Sequence, residues 1–176
     1  MKIFGIVGWS NSGKTSLLVR LIPALTGAGL RVSTMKHAHH EFDVDSPGKD
    51  SYQHRAAGAT EVMISSAKRW ALMHELRDDA EPAIEDLVPH MSPVDLLLIE
   101  GFKHHAHDKL EVFRREVGKS LLAATDPNVV AVASDGPMPE LAGLTPPRPL
   151  IDLNDTGAIA RFIIDHCGLA SRSDAA

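Results

Sequence analysis

Gly8-Trp-Ser-Asn-Ser-Gly13-Lys14-Thr15 matches the pattern G-x-x-x-x-G-K-[ST] at every position. Its chemistry is anion binding. The glycines let the backbone turn tightly and aim successive N–H groups inward, and the positive end of a following helix adds to them. In such a loop Lys14 bridges the outer phosphates and the Thr15 hydroxyl sits on Mg²⁺. Gly8, Asn11, Ser12, Gly13, Lys14, Thr15 and Ser16 are therefore the candidate phosphate-binding residues. The bland reading, a glycine turn with a solvent-facing lysine, is disfavoured because the motif falls between an apolar run and a helical pattern. A serine-hydrolase elbow is not matched: Ser12 stands where G-x-S-x-G needs its last glycine.

The second chemical signal is Asp95-Leu-Leu-Leu-Ile-Glu100-Gly-Phe-Lys103. A carboxylate at the carboxyl end of a buried strand can hold a magnesium shell or orient water. Glu100 is thus a candidate catalytic and metal residue, with Thr15 as the other metal candidate. Asp95 begins the strand and reads as a cap at the opposite end. Asp43 and Asp45 lie in a loop where P-loop proteins often carry a residue facing the γ-phosphate or metal. The sequence does not choose between them, and Asp45 joins Lys14 and Glu100 in the catalytic set.

Histidines form the third signal. His37, His39 and His40 cluster in one loop, and His104, His105 and His107 in another, flanked by Lys36 and Lys103. Imidazoles take zinc, nickel or copper readily, yet no cysteine pair accompanies them. Contacts to an anionic ligand or a partner are the favoured reading, with Lys36, His37, His39, His40 and Lys103 as the rim. A guanine-reading N-K-x-D is absent. The nearest substitutes are Ser134-Asp135 and Asp152-Leu-Asn154-Asp155. Asp135 is the candidate for the base, against a turn role before Gly136-Pro137; Asp155 reads better as a helix N-cap.

These residues need a frame to hold them. Ile3–Val7, Leu30–Met35, Val94–Ile99, Leu110–Arg114, Val129–Ala133 and Leu150–Asp152 read as strands. Helical spacing follows the phosphate loop through Leu17, Leu21 and Leu25, with Pro23 expected to kink it. Further helices are predicted at Asp50–Gly58, Glu81–His90 and Asp155–Cys167, and a hairpin from Glu61–Ser65 and Arg69–His74. Strands alternating with helices predict a mostly parallel α/β sheet, P-loop NTPase-like, with helices on both faces and a small added hairpin. One nucleotide-binding domain is expected over 1–170, with a disordered tail at 171–176.

The net charge of −5 excludes a broad basic surface for duplex nucleic acid. The single cysteine, Cys167, allows no internal disulfide and fits a reducing, cytoplasmic setting. The apolar run near the start is too short to span a bilayer, so no membrane partner is expected.

Taken together, Gly8–Thr15, Lys36-His37-Ala-His39-His40 with Asp43 and Asp45, Gly48-Lys-Asp50-Ser-Tyr52, Arg55, Ala57-Gly58-Ala59, Arg69-Trp-Ala-Leu72, Glu100-Gly-Phe-Lys103 and Ala131–Asp135 resemble the MobB family of molybdopterin-guanine dinucleotide biosynthesis adaptor proteins. The resemblance runs from residue 3 to about 166. It implies a homodimeric GTP-binding protein with slow, Mg²⁺-linked GTPase activity. It also implies assistance to the guanylyltransferase MobA, which joins GMP to molybdopterin. Asn11 stands where the family often has glycine, and asparagine tolerates positive φ better than most residues. A nucleotide-driven metallochaperone using the histidine clusters is the alternative. A small-molecule kinase is weaker, since no lid-like arginine cluster follows the phosphate loop.

Overall fold

A computed structural model describes residues 1–38 and 42–170. His39 and His40, both rim candidates, and the tail from 171 lie outside the described residues. The chain divides into two compact units, Met1–His37 with the segment from Pro93 onward, and Ala38–Ser92.

The first unit is built on six strands: β1 (Lys2–Val7), β2 (Val32–Lys36), β5 (Leu96–Glu100), β6 (Lys109–Phe113), β7 (Val129–Ser134) and β8 (Leu150–Asp152). They pair in the order β2-β5-β1-β6-β7-β8, and every pairing is parallel. Helices α1 (Lys14–Gly27) and α4 (Thr156–Cys167) return the chain across this sheet. Leu17, Leu21 and Leu25 of α1 and Ile159 and Ile163 of α4 are fully buried with Phe4, Ile6, Leu96, Leu98 and Leu110. A second cluster, Val7, Phe113, Ala123, Val129, Val132, Met138 and Leu141, is supplied partly by 3₁₀ turns at Leu122–Ala124 and Pro139–Gly143. Leu96 to Ile99 are 0% exposed, which explains the unbroken apolar run in that strand.

Several boundaries moved from their expected places. α1 runs through Pro23 to Gly27. The expected helix Glu81–His90 shrinks to α3 (Ile84–Leu87), with Ala83 as an extended N-cap, and ends in a 3₁₀ turn, Val88–His90, where Pro89 has no N–H to continue an α ladder. Residue 109 joins β6 and Arg114 leaves it. Asp155 is the N-cap of α4, its Oδ1 accepting from the Ala158 N–H at 2.8 Å.

The second unit holds α2 (Asp50–Ala56), α3 and the antiparallel hairpin of β3 (Glu61–Ser65) and β4 (Trp70–His74). Arg55 is its hub, bonded to Asp43 at 2.8 and 2.9 Å and to Glu75 at 2.8 Å. On the hairpin, Met63 and Trp70 are each 62% exposed and Leu72 is 39% exposed.

Candidate functional site

The site residues follow from parallel register. Ile6 pairs with Glu100, and Glu100 with Lys36, so β1, β5 and β2 end level. Phe113 pairs with Ser134, and Ser134 with Asp152, levelling β6, β7 and β8. The residues just past these ends gather along one carboxyl edge, where open parallel sheets bind ligands.

At the centre is the loop after β1. Gly8, Asn11 and Gly13 have φ of 145°, 65° and 97°. The asparagine adopts the left-handed conformation expected of it. A Cβ on Gly8 would collide with the Val112 carbonyl oxygen and lie 2.7 Å from Ser12 Oγ, so this position needs glycine. No side chain caps the N-terminus of α1 at Gly13, which leaves its first-turn N–H groups for an anion.

Lys14 Nζ donates to the Trp9 carbonyl oxygen at 2.9 Å, lying back along its own loop. Burial pulls its pKa below the usual lysine value; Glu100 opposes this, while nearby Lys103 and Lys36 add to it. Thr15 Oγ1 donates to Glu100 Oε1 at 3.1 Å, and Lys36 Nζ stands 3.8 Å from the same oxygen. Ser12 is buried and Ser16 exposed.

Lys103 Nζ lies 4.2 Å from the centroid of the Trp9 ring, with Lys119 Nζ at 6.0 Å from it. Trp9 Nε1 donates to the Ser120 carbonyl at 2.7 Å. The His37 ring lies against that of Phe102, tilted by 33° with centroids 4.6 Å apart. Close contact with His37 and a φ of 97° make Gly101 necessary as well.

Beyond β6 stands Arg114, which sequence reading did not single out. Its Nε donates to the Ser12 carbonyl at 3.2 Å, and Nη1 donates to Asp135 Oδ2. Asp135 borders a pocket of about 360 Å³ lined also by Gly136, Pro137, Leu150, Asp152 and Asn154. Asp45 lies in the second unit. Its Oδ1 accepts from Ser46 N–H and Ser51 Oγ at 2.9 and 3.0 Å, and its Oδ2 is 3.7 Å from Arg55 Nε.

Two charged residues of β6, Lys109 and Glu111, also escaped the sequence reading, because K-L-E-V-F looks like a strand with one wet face. Both are 0% exposed. Lys109 Nζ donates to the carbonyls of Lys103 and His105 at 2.8 and 2.7 Å and to Asp126 Oδ2 at 2.8 Å. Glu111 accepts from the Leu122 and Ala123 N–H groups at 2.9 and 2.8 Å, and burial raises its pKa against those bonds. The two residues clamp the loops that carry Lys103, Lys119 and Ser120 to the Trp9 ring.

In the second histidine cluster His104 is exposed, while His105 and His107 are half-buried. His105 and His107 meet through their Nδ1 atoms at 2.9 Å. Burial, with Lys109 and His105 beside it, lowers the His107 pKa to about 4. Among the described residues no group of three or more His, Cys, Asp or Glu side chains could hold a metal ion. No helix among them is long and apolar enough to cross a membrane.

A parallel six-stranded sheet with a glycine-lysine-threonine loop between its first strand and first helix defines the P-loop NTPase-like class of α/β proteins. Comparison narrows this. The family model of MobB, molybdopterin guanine dinucleotide synthesis protein B, matches residues 3–135, and the chain belongs to that family. It is 42% identical over 166 residues to the molybdopterin-guanine dinucleotide biosynthesis adapter protein of Escherichia coli (strain K12), covering 93% of this chain and 91% of that one. The adapter protein of the same name from Haemophilus influenzae is 39% identical over 164 residues, covering 92% and 86%. Among solved structures, Bacillus subtilis MobB superposes with a TM-score of 0.71 at 25% identity, covering 95% of this chain and 98% of that one.

Proposed function

We propose that this chain is a GTP-binding adapter in molybdopterin guanine dinucleotide biosynthesis, with slow Mg²⁺-linked GTPase activity, acting beside the guanylyltransferase MobA. The observation that carries the nucleotide part is the division of labour along the sheet edge. Lys14, Thr15, Glu100 and Lys36 gather on the β1, β5 and β2 side. Asp135 and its pocket lie on the β7 and β8 side. A nucleoside triphosphate needs both: cations and N–H groups for its phosphates, and a carboxylate for the N–H donors of guanine.

The donors present fit Mg²⁺. A hydroxyl and a carboxylate, both hard oxygen ligands, meet at the helix N-terminus. Thr15 and Glu100 would hold the ion, which would supply charge neutralisation at the outer phosphates. Lys14 would leave the Trp9 carbonyl to take phosphate oxygens. Glu100 is held by Thr15 and by Lys36, a metal-shell posture rather than that of a base poised on water, which suits slow turnover.

The adapter part rests on family membership and on the cationic rim. Among the described residues, Lys36 and Lys103 stand near Lys14 together with the Glu100 carboxylate. That surplus suits the phosphate of molybdopterin. The bare hairpin face with Met63, Leu72 and Trp70 suits pairing with a second copy, since a lone two-stranded sheet is marginal in water.

Titration with a fluorescent GTP analogue tests the reading. Lys14→Ala should weaken binding by at least about tenfold and up to about 150-fold, the worth of a charge-assisted hydrogen bond. Unchanged affinity in the folded variant would sink the nucleotide assignment. Co-purification of the native protein that never brings a guanylyltransferase would sink the adapter assignment.

A further inference from the structure

We propose that Arg114 is the residue that sets base specificity by position: it ties the phosphate loop to Asp135 and aims that carboxylate at the purine. The inference rests on the reading of Asp135 as the base-binding group. β6 lies between β1 and β7 in the sheet. Arg114, the first residue past β6, therefore stands between the phosphate loop and Asp135, and it reaches both.

The two acceptors suit a guanidinium. Its planar fork serves two oxygens in different directions at once, which a lysine ammonium on a flexible stem does not do with fixed geometry. Nε takes the Ser12 carbonyl at 3.2 Å. Nη1 takes Asp135 Oδ2. Asp135 Oδ1 has no hydrogen-bond partner among the described residues, and Asp135 borders the pocket. The guanidinium also sits against Gly13, where a Cβ would lie 3.5 Å from Nε. Gly13 directly precedes Lys14, so the phosphate-binding and base-reading ends share one strut.

Glu116 is the competing partner, 3.8 Å from Nη1, but its side chain is 76% exposed and such a pair is weak. With the side chains of Arg114 and Asp135 only 29% and 34% exposed, the Arg114–Asp135 pair is the better shielded. The chain has no N-K-x-D to read guanine. The strut gives a different solution: an aspartate after β7, held rigid by an arginine from the neighbouring strand. One oxygen stays with Arg114 and the other meets the guanine N1–H and amino group. Xanthine, with a carbonyl in place of that amino group, is repelled by the carboxylate.

The test measures affinity for GTP, ITP, XTP and inorganic tripolyphosphate by competition against a fluorescent GTP analogue. Wild type, Asp135→Asn, Arg114→Met and Arg114→Lys are compared. Asp135→Asn should invert the preference from GTP to XTP by about tenfold or more. Arg114→Met should lower the GTP-to-ITP ratio by about tenfold, with any loss of tripolyphosphate affinity clearly smaller than the loss for GTP. Arg114→Lys, which keeps the charge but not the fork, should lower the ratio too, and it replaces Arg114→Met if that variant does not fold. A strut that merely pinned two loops would weaken all ligands alike, and that result overturns the proposal. If Asp135→Asn inverts the preference but the arginine variants keep the wild-type ratio, the strut alone is wrong. If Asp135→Asn produces no inversion, the base reading of Asp135 fails, and the strut with it.

Discussion

Replacing Lys109 with methionine should cost this protein about 3 kcal/mol of stability. Methionine has nearly the same length and volume, so the cavity term is small. What is lost is the ammonium, which makes three hydrogen bonds of 2.7 to 2.8 Å to the Lys103 and His105 carbonyls and to Asp126. Lys109 itself is 0% exposed, so its ammonium has no water to replace these partners. Removing one partner of a buried ion pair costs about 3–5 kcal/mol. The low end applies because the Asp126 side chain is 22% exposed and can take water in place of the ammonium. For a chain of this length the loss corresponds to a fall in Tm of roughly 6–12 °C. Urea denaturation of wild type, Lys109→Met, Asp126→Asn and the double variant measures it. The double variant should be more stable than the sum of the two single losses allows, since neither partner is left charged and alone. The same substitution frees the Lys103 loop, so the Trp9 fluorescence should change as well, read in a Trp70→Phe background. A loss below about 1 kcal/mol, or strictly additive single losses, would refute the claim that Lys109 clamps this loop.

Three further outcomes are expected. Glu100→Gln should keep nucleotide binding and lower the metal-dependent single-turnover rate by about a hundredfold; equal rates would reject its place in the metal shell. His107, with its pKa lowered to about 4, is neutral in the folded state at pH values where the unfolded chain already takes a proton. Stability linked to His107 is therefore fully present above about pH 6.5 and is lost as pH falls toward about 4; His107→Gln should flatten that window in urea titrations, and an unchanged pH profile would contradict it. Trp70→Asp should shift sedimentation toward a monomer if the hairpin face pairs two copies, whereas an unaltered mass would remove that face from the interface.

The glycine-rich turn from Gly8 to Gly13 and the strand before it were legible in sequence because their causes are local. Tight turns need glycine, and an anion site at a helix start needs a lysine and a hydroxyl at fixed spacing. Glu100 was legible for a related reason: an apolar run of buried-strand length ends in a carboxylate. Asp155 declared itself as a cap because capping depends on three neighbouring residues. The tertiary structure alone decided which strands lie side by side. The order β2-β5-β1-β6-β7-β8 brings Lys36 and Glu100 to one side of the phosphate loop and Arg114 and Asp135 to the other, over separations of 64 and 21 residues that no local pattern encodes. It also decided that β6 is interior. Lys109 and Glu111 alternate with apolar residues as they would on a strand with one wet face. Only the packing of the loops at 103–108 and 121–126 over that face turns them into buried clamps, because burial belongs to what covers a residue and not to the residue itself.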